Sequence, residues 1–184
     1  MKSLKVLLIC ITSFICLLFP AKVFAEEIEF TSNQIEIHRF ARDICENYEH
    51  VTPELAIAVI QKESLYDPEA TNGGCVGLMQ VSKKYNKYRA EDLGVEDFFD
   101  PYGNILIGVD FLNELIDTYE DVNLALMLYN MKWDSAFNLY KQGKISSYAK
   151  DVQKKMDDIS NLSEDVLYGE EVRYFNGKDE IFLQ

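Results

Sequence analysis

Apolar residues recur at three- and four-residue steps through most of the chain, the spacing of one face of an α-helix. Ile35, His38, Ala41, Ile44, Cys45 and Tyr48 follow this rule and predict a first helix over 33–49. Thr52-Pro53 supplies an N-cap followed by proline at the first helical position, and the run from Leu55 to Ile60 is apolar on every side, so a second helix here is buried all round. Pro68 disfavours helical geometry at Asp67, which ends that helix near 64–66. Asn72-Gly73-Gly74 reads as a loop and Gly77 to Val81 as a short helix. Ile105, Gly108, Phe111, Leu112, Leu115, Ile116 and Tyr119 mark a long helix, and Asp121 caps a shorter one ending at Tyr129-Asn130. Residues 134–141 and 146–159 read as two more helices around Gly143. No stretch before residue 165 sustains strand alternation. Beyond it, Asn176-Gly177 lies between two short apolar-rich runs, so the tail is either a small β-hairpin or unstructured. The predicted class is all-α, as one domain over 33–160 after a polar lead-in at 26–32, with a tail over 161–184.

The amino terminus follows a different pattern. Lys2 and Lys5 precede an apolar run from Val6 to Phe19, and Val23-Phe24-Ala25 suits signal peptidase, so residues 1–25 read as a secretion signal. About 14 apolar residues fall short of the roughly 20 that span a bilayer. Cys10 and Cys16 each follow isoleucine, where a lipoprotein signal wants a small residue. The expected location is therefore extracytoplasmic. Cleavage would remove three lysines and no acid, taking the formal net charge from −13 to −16. So acidic a chain repels nucleic acid and other polyanions, so nucleic acid is not expected as a partner. Two cysteines, Cys45 and Cys75, would remain, either as a disulfide or as separate thiols.

Glu63 is the first candidate for chemistry. It lies three, four and seven residues after Ile60, Val59 and Ala56, so it extends an apolar face of a buried helix at the negative end of its dipole. Both conditions raise a carboxyl pKa and make a general acid that keeps its proton near neutrality. His38 and His50, the two histidines, read as surface residues without metal-ligand spacing, and no metal or cofactor is expected.

Glu63-Ser64, Gly77-Leu78-Met79-Gln80, Asn104 with Gly108, Ala125, Tyr129-Asn130 and Tyr148 follow one another in an order and spacing that resembles the family 1 lytic transglycosylases of the lysozyme superfamily. The resemblance covers roughly residues 50–160. It implies a helical lysozyme-like fold that cleaves peptidoglycan glycan strands between N-acetylmuramic acid and N-acetylglucosamine, leaving 1,6-anhydromuramyl ends. Glu63 would be the catalytic residue. Ser64 would support it, Met79 and Gln80 would line the cleft, the Tyr129 hydroxyl would reach the glutamate or the sugar, and Asn130 and Tyr148 would stand nearby. A partner in a cell-wall-spanning apparatus is open to such an enzyme. So are a hydrolytic muramidase using the same Glu63 and a glycan-binding module without turnover. Met131-Lys132-Trp133 departs from the Ala-Gly that often follows Tyr-Asn in the family, which alters one wall of the cleft; Trp133 could stack on a sugar or fill the core.

Overall fold

In the computed structural model, residues 28–169 and the short strands 174–176 and 179–181 are described. The secretion signal read from residues 1–25 lies outside them. Eight helices are present among the described residues: α1 (Ser32–Cys45), α2 (Pro53–Glu63), α3 (Lys87–Asp92), α4 (Pro101–Tyr119), α5 (Val122–Asn130), α6 (Trp133–Lys141), α7 (Ser147–Ser160) and α8 (Glu164–Tyr168). Three two-residue strands, β1 (Thr71–Asn72), β2 (Cys75–Val76) and β3 (Val81–Ser82), form an antiparallel sheet between α2 and α3. The strands β4 (Tyr174–Asn176) and β5 (Asp179–Ile181) pair antiparallel, with Asn176 opposite Asp179. None of the described helices is long and apolar enough to cross a membrane.

Local chemistry explains most of the helix starts. Thr31 and Gln34 form a reciprocal capping box before α1, and the Thr52, Asp121 and Ser146 side chains each accept from a backbone N–H of the first turn they precede. Asp100 does the same for α4, and Pro101 takes the first helical position, so α4 begins a turn before the apolar periodicity does. The six residues from Leu55 to Ile60 are buried, as the all-round apolar run implies. Each large side chain among them contributes about 1.5–3 kcal/mol on burial. That exceeds the roughly 1 kcal/mol of a cap, so packing fixes α2 in place. α2 rests on α1 and α7, and α4 crosses α1 and α5.

Two expectations change. Gly77 to Gln80 is a turn between β2 and β3, and Val81 opens β3, rather than a helix, because Gly77 (φ 74°) and Gln80 (φ 48°) both adopt left-handed backbone. His38 is fully buried, not on the surface. Its Nδ1 lies 2.7 Å from the Leu167 carbonyl, which can only accept, so Nδ1 carries the proton and Nε2 accepts from the Tyr66 hydroxyl at 3.0 Å. Burial, opposed only in part by the bond to Leu167, lowers the His38 pKa.

The neutral ring gives a pH dependence. Below the unfolded value near 6.5 the unfolded chain binds a proton that the folded chain resists, so this contribution is complete above that pH and is lost as pH falls. Thermal or urea unfolding from pH 7.5 to 5 will show the stability gap between the protein and its His38→Gln variant narrowing, by at most about 1.4 kcal/mol per pH unit. At Gly108, an added Cβ would meet Met79 Sδ at 2.6 Å and Cβ at 2.8 Å. The methionine tip can move and its Cβ cannot, so Gly108→Ala will cost about 1–3 kcal/mol in urea unfolding.

Candidate active site

Glu63 is the last residue of α2, and its side chain is largely withdrawn from water. Its Oε1 accepts a 2.6 Å hydrogen bond from the hydroxyl of Tyr148, a buried residue in the first turn of α7. Burial raises the Glu63 pKa; the Tyr148 bond and the Lys62 charge pull the other way and do not cancel it. Lys62 itself turns outward to Asp151 of α7 at 2.7 Å. Because Tyr148 engages only Oε1, the second oxygen is left to hold a proton.

A cleft of about 810 Å³ opens beside this carboxyl, bounded by Gly73, Cys75, Gln80, Phe111, Tyr129 and Trp133 among others. Glu63 is not among the lining residues, but its charge reaches two of them: after the larger effect of burial, it raises the pKa of Cys75 and Tyr129. The start of α6 forms part of the lining, where Trp133 is 50% exposed and meets Tyr119 edge-on at 6.5 Å. Trp133 is thus a cleft residue and not a core plug. Asp134 is the one carboxylate among the lining residues.

The site residues named from sequence separate into those that share this space and those that do not. Glu63 and Tyr148 are in direct contact, and Gln80, Tyr129 and Asn130 line the cleft. The Tyr129 hydroxyl donates to the Met79 carbonyl at 2.9 Å and not to Glu63, which accepts from Tyr148. Gln80 spends its amide N–H groups on the carbonyls of Ala70 and Gly77, both at 3.0 Å, so its donors brace the turn. Met79 was expected to line the cleft and instead is wholly buried, its side chain against Gly108. The Ser64 hydroxyl bonds back to the Ile60 carbonyl at 3.2 Å, within its own helix end. Cys45 and Cys75 are both free thiols, so the disulfide alternative is set aside. No cluster of potential metal ligands occurs among the described residues.

Asn104, near the start of α4, does more than the sequence motif indicated. It is fully buried, accepts from the Met79 N–H at 2.8 Å, and donates to the carbonyls of Val76 at 2.9 Å and Phe98 at 2.8 Å. Gly77 faces this amide so closely that a Cβ would stand 2.3 Å from its nitrogen. Arg89 and Phe111 were not anticipated. The Arg89 guanidinium pairs with Asp110 and Glu114 and lies 5.2 Å over the Phe111 ring, which in turn packs on Tyr129 at 5.5 Å. Phe111 was visible as a periodic apolar position, but Arg89 carried no local signal because its partners sit a helix away.

Residues 43–133 match the family described as the transglycosylase SLT domain. This chain carries an SLT domain. Over 82 residues it is 40% identical to the transglycosylase of Enterobacteria phage PRD1, covering 44% of this chain and 29% of that protein. Over 86 residues it is 36% identical to the membrane-bound lytic murein transglycosylase F of Desulfosudis oleivorans, covering 42% of this chain and 18% of that protein. Its fold is shared with the crystal structure of the 70 kDa soluble lytic transglycosylase SLT70 from Escherichia coli, at a TM-score of 0.58 and 17% identity over 73% of this chain and 25% of that one. The chain therefore spans less than a third of the length of each of these relatives.

The SLT stretch holds Glu63, the Gly77–Gln80 turn and Tyr129, but it ends before Tyr148. The hydroxyl that touches the glutamate thus comes from α7, beyond the matched segment. Tyr148→Phe removes the one side-chain hydrogen bond that favours the ionised carboxyl, so the Glu63 pKa will rise further. A carboxyl-carbon NMR titration of Glu63 in the two proteins will read that displacement, and a downward shift would contradict the assignment.

Proposed function

We propose that this protein is an exported peptidoglycan lytic transglycosylase in which Glu63 acts first as general acid and then as general base. The observation that carries the reading is the Glu63 environment: a lone carboxyl at the end of a buried helix, its pKa raised by burial, oriented by Tyr148 and beside a cleft large enough for sugar rings. The SLT domain and the lytic transglycosylase relatives support the same reading.

The proton on the free Glu63 oxygen passes to the glycosidic oxygen, and the N-acetylglucosamine departs as its alcohol. The muramyl 6-hydroxyl closes on C1, and the Glu63 carboxylate accepts that hydroxyl's proton. The acid is thereby regenerated and no water is consumed. Because the nucleophile belongs to the same sugar, its attack is intramolecular and needs no second carboxylate to activate water. Ordinary glycosidases place an acid pair about the scissile bond, whereas the carboxylate that lines this cleft, Asp134, follows Trp133 at the start of α6 and stands in none of the motifs around Glu63. Trp133, Asn130 and the Gln80 carbonyl oxygen are the groups we assign to sugar contact. Export rests on the leader-like residues 1–25 and on a cell-wall substrate.

The deciding experiment incubates residues 26–184 with purified peptidoglycan, beside the Glu63→Gln protein, and weighs the soluble fragments. Muramyl ends one water lighter than the hydrolysed form are expected from the parent protein. The variant, isosteric but unable to cycle a proton, will fold and bind glycan while losing at least about 10²-fold in turnover. Reducing muramyl ends would mean a hydrolase, and fragments independent of Glu63 would overturn the mechanism.

A further inference from the structure

The turn that ends α2 is held in an unfavourable conformation. Directly after Glu63 and Ser64, Leu65 (φ 52°) and Tyr66 (φ 68°) both occupy the left-handed region, and neither is glycine. Such residues are strained and persist only where their surroundings hold them. Leu65 supplies no hold, being 77% exposed. A backbone bond from the Asp67 N–H to the Ser64 carbonyl at 3.2 Å closes the turn without tying it to the rest of the protein.

Tyr66 provides that tie. Its hydroxyl donates to Nε2 of the fully buried His38 on α1, at 3.0 Å, and the same ring donates from Nδ1 to the Leu167 carbonyl of α8 at 2.7 Å. Phe30 closes the cage, edge-on to His38 at 4.5 Å and to Tyr66 at 6.4 Å. α8 is separately fastened to α1: the Arg39 Nε donates to the Tyr168 carbonyl at 2.8 Å, and the Arg42 guanidinium lies 4.8 Å over the Tyr168 ring. The Leu167 carbonyl is therefore a fixed point. Through one imidazole it is connected to a residue three positions from Glu63. His38 and Leu167 both fall outside residues 43–133.

We infer that His38 is a positioning residue for Glu63, pinning the strained Leu65-Tyr66 turn through the Tyr66 hydroxyl and referring it to α8. This rests on the reading of Glu63 as the catalytic acid. A turn free to relax toward ordinary backbone would carry the last residue of α2 with it, and a misplacement near 1 Å can cost about 10²-fold in rate. The imidazole suits the task because it is rigid and offers one donor and one acceptor on opposite sides.

Three variants of the full chain test this, because two lose the Tyr66 bond and keep the bond to Leu167, and one does the reverse. Tyr66→Phe removes only the hydroxyl. His38→Asn places an amide nitrogen near Nδ1, keeping the bond to Leu167 and losing Tyr66. His38→Gln places its terminal amide near Nε2, keeping Tyr66 and losing Leu167. kcat and KM on soluble uncrosslinked glycan strands, the pH profile of kcat, and the melting temperature are measured for each, with assays well below every melting point. Tyr66→Phe and His38→Asn are expected to lower kcat by about 5- to 100-fold with KM within about twofold, and to displace the alkaline limb of the profile. His38→Gln should melt earlier yet keep kcat near that of the parent. If Tyr66→Phe and His38→Asn melt early but turn over normally, the network is only structural and the inference falls. It falls equally if His38→Gln loses as much kcat as His38→Asn. Should His38→Asn not fold, Tyr66→Phe, which deletes one oxygen, decides alone. Activity surviving in Glu63→Gln would overturn the underlying catalytic reading instead, whereas an inactive Glu63→Gln beside a normal Tyr66→Phe would overturn this inference alone.

Discussion

The amide of Asn104 is buried between α4 and the β2–β3 turn, and the site depends on it. A buried side-chain amide is tolerated only when its donors and acceptor are occupied, and here the backbone of Val76, Met79 and Phe98 occupies them. Val76 ends β2, Met79 lies in the turn that follows it, and Phe98 lies in the loop leading into α4. Without the amide, the Met79 N–H would be a buried donor with no partner, at a cost of about 1–3 kcal/mol. The turn would then have to find water, and α4 and the cleft floor would separate. Tyr129 adds a second bond to the same turn from α5, at the Met79 carbonyl, so two helices grip one residue through its backbone.

The electrostatics of the molecule act locally. With 31 acidic residues against 18 basic ones, the chain as a whole presses Glu63 toward its protonated form, but exposed charges beyond about 8–10 Å are largely screened at physiological salt. What sets the Glu63 proton is its own burial, tempered by Tyr148 and Lys62. A strongly acidic exterior is then compatible with a substrate bound by hydrogen bonds and ring contacts in a cleft with an apolar floor, where Arg89 is already neutralised by Asp110 and Glu114.

Helices α2 and α5 were legible because each announces itself twice, in periodicity and in a cap, Thr52-Pro53 for α2 and Asp121 for α5, whereas α1 and α4 were legible by periodicity alone. Glu63 was legible for the same reason, as a charge continuing an apolar face. The short helices α3 and α8 were missed, being too brief for the spacing to repeat. Gly77–Val81 was misassigned because its apolar run is indistinguishable from a helical turn until the sign of φ at Gly77 and Gln80 is known. Burial of His38 could have been suspected from its place in the apolar series Ile35, His38, Ala41; its partners could not, since Tyr66 and Leu167 lie 28 and 129 residues away. The same distance hid the pairing of Glu63 with Tyr148, whose two ends were each visible as motif positions.

Because Asn104 and Tyr129 hold position 79 by its N–H and C=O alone, the side chain there is irrelevant to the grip. Its identity is constrained by volume, against the missing Cβ of Gly108. Position 108 is therefore held to glycine by the Met79 Cβ and not by the tip of that side chain, so shortening residue 79 to anything but glycine leaves the 2.8 Å approach in place.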